Sequence, residues 1–358
     1  MRVLHVAAGN LYGGVERILE EIAVHEPAPS HHEFALSFAG RLSENLRAAG
    51  ATPHDLGRVR FSRPWSVWRA RRRLRRLLDA RPFDAVIGHS PWAFSLAAPS
   101  VRKPRLVLWA HDALDGRHWT ERRVSRQSPQ LVICNSRYTA SAVGAWLRDV
   151  RREVVYAPVS PAPDVPARRA SLRAQLGAGE RTAVILLASR LEKWKGHSEL
   201  LRAAAGLRGD WTIWIAGGAQ RPHEVEYERD LRTLASALPV GDRVAFLGER
   251  RDVAHLFQAA DIHCQPNTAP EPFGLAFVEA LHAGVPVVTS DLGGAREIVT
   301  PSCGVLVPPG DRGVLMQTLQ GLIDDPARRA ALGAAGPARA RSLCDPATQI
   351  ALLERALS

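Results

Sequence analysis

The sequence predicts an α/β protein built from two Rossmann-like, doubly wound domains that face a cleft. Three observations lead there. Short apolar, β-branched runs alternate with helical patterns along the chain, which argues βαβ units and parallel sheets buried on both faces. The alternation stops once, in "YAPVSPAPDVPARRA" (156–170), where prolines at 158, 161, 163 and 166 mark a linker. The length of 358 residues, 46% of them hydrophobic, suffices for two domains with real cores. The expected boundaries are 1–160, 161–340 and a C-terminal helix over 341–358 that can pack back on the first domain.

Taken in order, "RVLHVAA" (2–8) reads as a buried strand, followed by a helix from Val15 to Val24. "EFALSFAG" and "ATPHDLG" bracket a short helix near 41–49. "FDAVIGH" (83–89), "RLVLWAH" (105–111) and "QLVICNS" (130–136) are strand-like and end in polar or small residues. Beyond the linker, six more strands are expected: "TAVILLAS" (182–189), "WTIWIAG" (211–217), "RVAFLG" (243–248), "DIHCQP" (261–266), "VPVVTS" (285–290) and "GVLVP" (304–308). From about Asp311 the chain is Ala- and Leu-rich and helical, with a break near "CDPATQ".

Four cysteines lie far apart with no CxxC pair, so neither a disulfide framework nor a zinc site is expected. The opening "MRVLHVAAGN" reads as a strand and glycine loop rather than a secretory signal. No apolar run reaches the roughly 20 residues that a spanning helix needs. The expected location is the cytoplasm, with peripheral attachment to the cytoplasmic face of the membrane left open. The net charge is +11, and its placement is uneven: residues 1–160 carry 25 basic and 14 acidic side chains, and residues 161–358 carry 22 of each. Such a field favours an anionic membrane or nucleic acid, with a codon-driven arginine bias as the alternative.

In open α/β sheets, ligands sit beyond the carboxyl ends of strands, and the distinctive motifs fall there. "GNLYGGVER" lacks both the P-loop and the GxGxxG spacing, yet Gly13 and Gly14 permit close backbone approach before a helix. A tight turn is the plainer reading. "SRLEKWKGH" (189–197) places Arg190 and Lys195 on one loop, where two cations suit a diphosphate, although a solvated basic loop is the simpler account. "EPFGLAFVEALHAGVPVVTS" is the strongest stretch. Pro272 and Gly274 open a helix and Gly284 ends it. The N–H groups near Phe273, Gly274 and Leu275 can bind an anion. Glu279, about one and a half turns on, can accept from a diol such as ribose, and Glu271 from hydroxyls at the other end of the ligand. "SDLGGAREIV" (290–299) reads as a turn when taken alone. His111, in "WAHD", and more weakly His89 stand at strand ends, where a lone histidine is structural or catalytic.

In this order, Arg190 and Lys195 in "SRLEKWKG", then "EPFGLAFVEAL", then "GGAREIV", resemble the retaining GT-B glycosyltransferases of family 4. The resemblance covers nearly the whole chain, including "YGGVER" and "NSRYTA", and departs at "APVS" (157–160), where many members have "NGVD". It implies that Arg190 and Lys195 neutralise a departing diphosphate and that the amides at Gly274 and Leu275, with Phe273 and Gly217, bind the donor. Glu279 would hold ribose, Glu271 the transferred sugar, and Gly14 with Gly13 would approach the diphosphate from the other domain. His111 resembles the family's histidine near the reacting sugar. The implied reaction is front-face transfer with retention, from a UDP- or GDP-sugar substrate, with no cofactor and no metal. The acceptor would be a saccharide or a lipid-linked saccharide in polysaccharide, glycolipid or other glycoconjugate synthesis. A sugar-nucleotide epimerase of the same fold and a non-catalytic, membrane-associated assembly subunit are the two rivals.

"PWSVWRARRRLRRLLDARPFD" (64–84) sets Val67, Ala70 or Arg71, Leu74, Leu77 and Leu78 at helical spacing among arginines, with Trp65 and Trp68 at one end. The basic helix over 65–78 either lies on anionic lipid or covers the sheet with a solvated face. No nucleic-acid motif accompanies it, so no nucleic-acid partner is expected.

Overall fold

The computed structural model describes every residue except 27–29 and 164, so Asp164 of the expected linker lies outside the described residues. The chain divides into two compact units, Met1–Val159 with Cys344–Ser358, and Ser160–Leu343.

The first unit holds seven strands: β1 (Arg2–Ala7), β2 (His31–Leu36), β3 (His54–Asp55), β4 (Ala85–Gly88), β5 (Arg105–Ala110), β6 (Leu131–Cys134) and β7 (Arg152–Val154). All neighbours pair in parallel, in the order β3-β2-β1-β4-β5-β6-β7. Every residue of β4 and β6 is buried, as a sheet covered on both faces demands. The sequence reading missed β7, a three-residue edge strand with no fully buried position, too short to carry a pattern. Helix starts follow their caps. Ser90 accepts from the Ala93 N–H at 3.1 Å, Ser136 from Thr139 at 2.9 Å and Asp345 from Thr348 at 2.8 Å, each satisfying a donor that the helix leaves open. The last of these begins the helix Pro346–Leu357, which belongs to the first unit. Its Ile350, Leu353 and Leu357 are buried, and Arg105 donates to the Leu357 carbonyl at 2.6 Å.

The second unit holds β8 (Ala183–Ala188), β9 (Trp211–Ala216), β10 (Val244–Gly248), β11 (Ile262–Gln265), β12 (Val287–Ser290) and β13 (Gly304–Val307). These are the six strands read from the sequence. They are parallel, in the order β10-β9-β8-β11-β12-β13. Ile185, Leu187, Leu200, Ile213 and Ile262 lie in its core without measurable exposure, and each such side chain contributes roughly 1.5–3 kcal/mol by leaving water.

Each sheet has one gap where the winding reverses, between β1 and β4 and between β8 and β11. The loops leaving neighbouring strands diverge there, which opens a crevice beyond the carboxyl ends.

Candidate active site

In the second unit, the sequence motifs gather at the β8/β11 gap. The chain leaving β8 passes Arg190, makes a single turn at Lys193–Lys195 and reaches Gly196 at φ 81°. A Cβ on Gly196 would stand 1.9 Å from the Pro266 carbonyl oxygen. Glycine is thus required twice, for its backbone angle and for contact with the chain leaving β11. That contact brings Lys195 to Glu271. The ammonium donates to Glu271 Oε2 at 2.7 Å, with the two side chains 14% and 8% exposed. Gln265 Nε2 and Asn267 Nδ2 donate to the same oxygen at 3.0 and 3.2 Å. The Lys195 ammonium also sits 4.0 Å from the centre of the Trp194 ring, a cation–π contact. Arg190 pairs with Glu192 at 3.1 Å and is partly exposed.

Just past Glu271, Phe273 is buried and Gly274 takes φ 111°, opening the helix Leu275–His282 with no side-chain cap. Its first N–H groups therefore have no capping side chain, the arrangement in which a helix start can accept an anion. The loop after β12 clamps this segment. The Gly294 N–H donates to the Glu271 carbonyl at 2.7 Å, and Cβ atoms on Gly293 and Gly294 would approach the Glu271 and Pro272 carbonyl oxygens to 2.4 and 2.6 Å. Glu279 is half-buried on that helix. Gly217 follows β9, donates its N–H to the Gly248 carbonyl at 2.9 Å and packs against the Ser189 carbonyl.

The remaining predicted site residues lie in the first unit. Gly13 donates its N–H to Glu16 Oε2 at 3.0 Å, and the exposed Gly14 begins the helix Gly14–Val24. His111 follows β5, and its carbonyl accepts from Asn135 Nδ2 at 3.0 Å. Its Nε2 lies 3.0 Å from His89 Nδ1, whereas Nδ1 is buried without a partner among the described residues. Burial lowers its pKa to about 3, so the ring is neutral at pH 7.

The structure thus joins Lys195 and Glu271 in one bonded cluster with Gln265 and Asn267, has Phe273 and Gly274 follow directly along the chain, and seats Gly217 against the start of the Arg190 loop. Lys195, expected at the diphosphate, and Glu271, expected at sugar hydroxyls, are bonded to each other. The sequence reading passed over Gln265 and Asn267. Their signal was two amides at the end of a buried strand, 1% and 0% exposed, where an unpaired polar group is costly. Among the described residues, no three His, Cys, Asp or Glu side chains converge as a metal site requires.

The basic helix spans Pro64–Ala80 and buries Val67, Ala70 and Leu74. Arg71 turns inward, donating to the Leu96 and Ser95 carbonyls at 3.2 and 3.0 Å. Arg73 pairs with Asp55 and Arg75 donates to the Pro99 carbonyl. The outer face carries Trp65 and Trp68, 74% and 53% exposed, beside the exposed Arg69, Arg72 and Arg76. Among the described residues, no helix is long and apolar enough to cross a membrane.

Residues 168–339 match the profile described as glycosyl transferases group 1, and residues 12–162 match glycosyltransferase family 4. A GDP-mannose-dependent monoacylated alpha-(1-6)-phosphatidylinositol monomannoside mannosyltransferase of Corynebacterium glutamicum is 37% identical over 187 residues, 49% of this chain and 47% of that protein. A D-inositol 3-phosphate glycosyltransferase of Xylanimonas cellulosilytica is 33% identical over 237 residues, 63% of this chain and 56% of that protein. The match thus spans about half the length of these curated relatives. The crystal structure of Anabaena HepE with UDP and glucose superposes with a TM-score of 0.89 at 28% identity, covering 100% of this chain and 99% of the other.

Proposed function

We propose that this chain, which belongs to the family 4 glycosyltransferases by its matches over 12–162 and 168–339, moves a sugar from a UDP- or GDP-linked donor to a saccharide or lipid-linked acceptor. The observation that carries this reading is the Lys195–Glu271 cluster at the β8/β11 gap. A lysine is held there by one carboxylate, and an uncapped helix start follows three residues after that carboxylate. Oriented N–H groups at a helix start, with cations within reach of them, suit a diphosphate and oppose the charge that the leaving group gains. A relative that depends on GDP-mannose and a neighbour crystallised with UDP and glucose support the two nucleotides.

In the proposed reaction the anomeric carbon–phosphate oxygen bond breaks, and its electron pair stays on the phosphate. Arg190, Lys195 and the amides at Gly274 and Leu275 stabilise that charge. The acceptor oxygen bonds to the same face of the anomeric carbon and passes its proton to the departing phosphate, so configuration is retained. Glu279 holds the ribose. Glu271 positions Lys195 and meets the sugar hydroxyls as the lysine turns to the phosphate. The exposed tryptophans and arginines of the helix Pro64–Ala80 hold the protein against the cytoplasmic face of an anionic bilayer.

A thermal-shift panel of UDP, GDP, ADP and TDP tests the donor site, followed by turnover of the matching sugars. A nucleotide at one hundred times its Kd stabilises by about 2.7 kcal/mol, or roughly 5–10 °C for a unit of this size. If none of the four raises the melting temperature, the donor site is not where it is placed. Conversion of a nucleotide sugar to its epimer without an acceptor favours the epimerase instead, and a product of inverted anomeric configuration rejects retention.

A further inference from the structure

His111, which is partly exposed, is one end of a file of four imidazoles whose other three members, His89, His5 and His32, are buried. Its Nε2 lies 3.0 Å from His89 Nδ1, His89 Nε2 lies 2.8 Å from His5 Nδ1, and His5 Nε2 lies 2.8 Å from His32 Nδ1. The file ends 3.5 Å from a carboxylate, between His32 Nε2 and Glu354 Oε1 on the helix Pro346–Leu357. The two atoms face each other at ion-pair distance rather than in a hydrogen bond, and neither has a hydrogen-bond partner among the described residues.

Strand register builds the file. In a parallel pair, facing residues project to the same side, and side chains alternate along each strand. Val3 faces His32, and His5 faces both Phe34 and Ile87. His5, His32 and His89 therefore stand on one face of the sheet. Trp109 and His111 continue the row, with the ring of His89 tilted against Trp109 at 5.1 Å and stacked on His111 at 5.3 Å between centroids. The rings cross β5, β4, β1 and β2 in the order in which those strands lie.

Burial keeps the file uncharged. It pushes His5 and His89 well below the usual imidazole range and lowers His32 as well, although Glu354 and Glu26 pull His32 the other way. A neutral imidazole donates from one nitrogen and accepts at the other. A file of them can therefore be polarised in only two ways, and the group at its end selects one. A carboxylate accepts only. Facing Glu354, His32 would carry its proton on Nε2 and accept at Nδ1. The same choice then passes to His5, to His89 and to His111.

We propose that Glu354, His32, His5 and His89 are positioning residues that hold the proton of His111 on Nε2 and leave its Nδ1 as a bare acceptor for a substrate hydroxyl. Nδ1 is the atom of His111 that no described residue satisfies. Only the hydroxyl rests on the glycosyltransferase reading; the tautomer does not.

The test is nitrogen-15 NMR of the full-length protein with labelled histidine, which distinguishes a protonated from a bare ring nitrogen at each site. In the wild type, His111 should show a protonated Nε2 and a bare Nδ1. Glu354→Gln keeps an acceptor oxygen and should keep that pattern. Glu354→Lys offers donors alone and should move the His111 proton to Nδ1. His5→Phe cuts the file, and in that background Glu354→Lys should leave His111 unaltered. With a turning-over substrate, Glu354→Lys should lower kcat about tenfold, the loss of one hydrogen bond, with nucleotide affinity unchanged and activity normal in Glu354→Gln. A wild-type His111 protonated on Nδ1 overturns the proposal, as does a His111 that does not respond to Glu354→Lys. Should Glu354→Lys fail to fold, the wild-type tautomer still decides. If no sugar is transferred while the tautomer responds, the positioning file stands and the glycosyltransferase reading fails.

Discussion

Glu271→Ala removes the one oxygen on which three donors converge. The Lys195 ammonium, Gln265 Nε2 and Asn267 Nδ2 lie 2.7, 3.0 and 3.2 Å from it. Breaking a buried ion pair by deleting one partner costs about 3–5 kcal/mol. The two stranded amides add to this, whereas the 14% exposure of Lys195 lets water recover part of it. Taking about 4 kcal/mol, and roughly 2–4 °C per kcal/mol for a unit of this size, the second unit should melt roughly 8–16 °C lower. Glu271→Gln keeps an acceptor oxygen and loses only the charge, so its loss should be about half. The double variant Lys195→Met, Glu271→Leu removes both charges together and should recover most of the stability, because an apolar pair of similar volume replaces a buried ion pair at little cost. The assay is a thermal double-mutant cycle with a nucleotide arm. In Glu271→Ala the released lysine is free to pair with phosphate, so the rise with UDP or GDP should be at least as large as in the wild type. Strictly additive losses for Lys195→Met and Glu271→Leu would show that the two do not act on each other. A smaller nucleotide rise in Glu271→Ala would reject Lys195 as a phosphate ligand.

Glu279→Ala should weaken nucleotide binding by about tenfold or more by calorimetry, since hydrogen bonds to a charged acceptor contribute about 1.5–3 kcal/mol; an unchanged Kd rejects the ribose contact. The buried His197 and His263 have pKa values lowered to about 3 and about 4, by burial first and, in both, by the charge of Lys195 as well. The unfolded chain binds protons near pH 6.5 and the folded form does not, so the stability these residues contribute is complete above that pH and is lost as pH falls toward 4. From pH 7 to 5 each should cost about 2 kcal/mol, and His197→Asn should flatten the dependence of melting temperature on pH; an equally steep curve rejects it. Replacing Arg69, Arg72 and Arg76 by Ala should weaken flotation with anionic liposomes by about 1 kcal/mol per arginine removed; unchanged flotation rejects the membrane surface.

The long, one-sided signals were the legible part of the sequence. Buried parallel strands such as β8, with "AVILLA" buried at every position, read as strands because an apolar run bounded by turns has few other homes. The Arg190, Lys195 and "EPFGLAFVE" motifs were legible because loop chemistry collects at strand ends. Partners were not legible. Lys195 and Glu271 are 76 residues apart in sequence, and nothing along the chain says that Gly196 rests on Pro266 and turns the lysine inward. His5 is the plainest case. In sequence it is one polar residue within an apolar run, indistinguishable from a histidine satisfied by its own strand.

The alternation of elements, the residues available for chemistry and their order are all legible along the chain. These follow from local periodicity and from caps a few residues long. The tertiary structure decided which of those residues meet. Parallel strand order sets β8 beside β11 and carries β5, β4, β1 and β2 across one face. Only that arrangement, fixed by packing between distant segments, pairs Lys195 with Glu271 and lines four histidines from His111 toward Glu354.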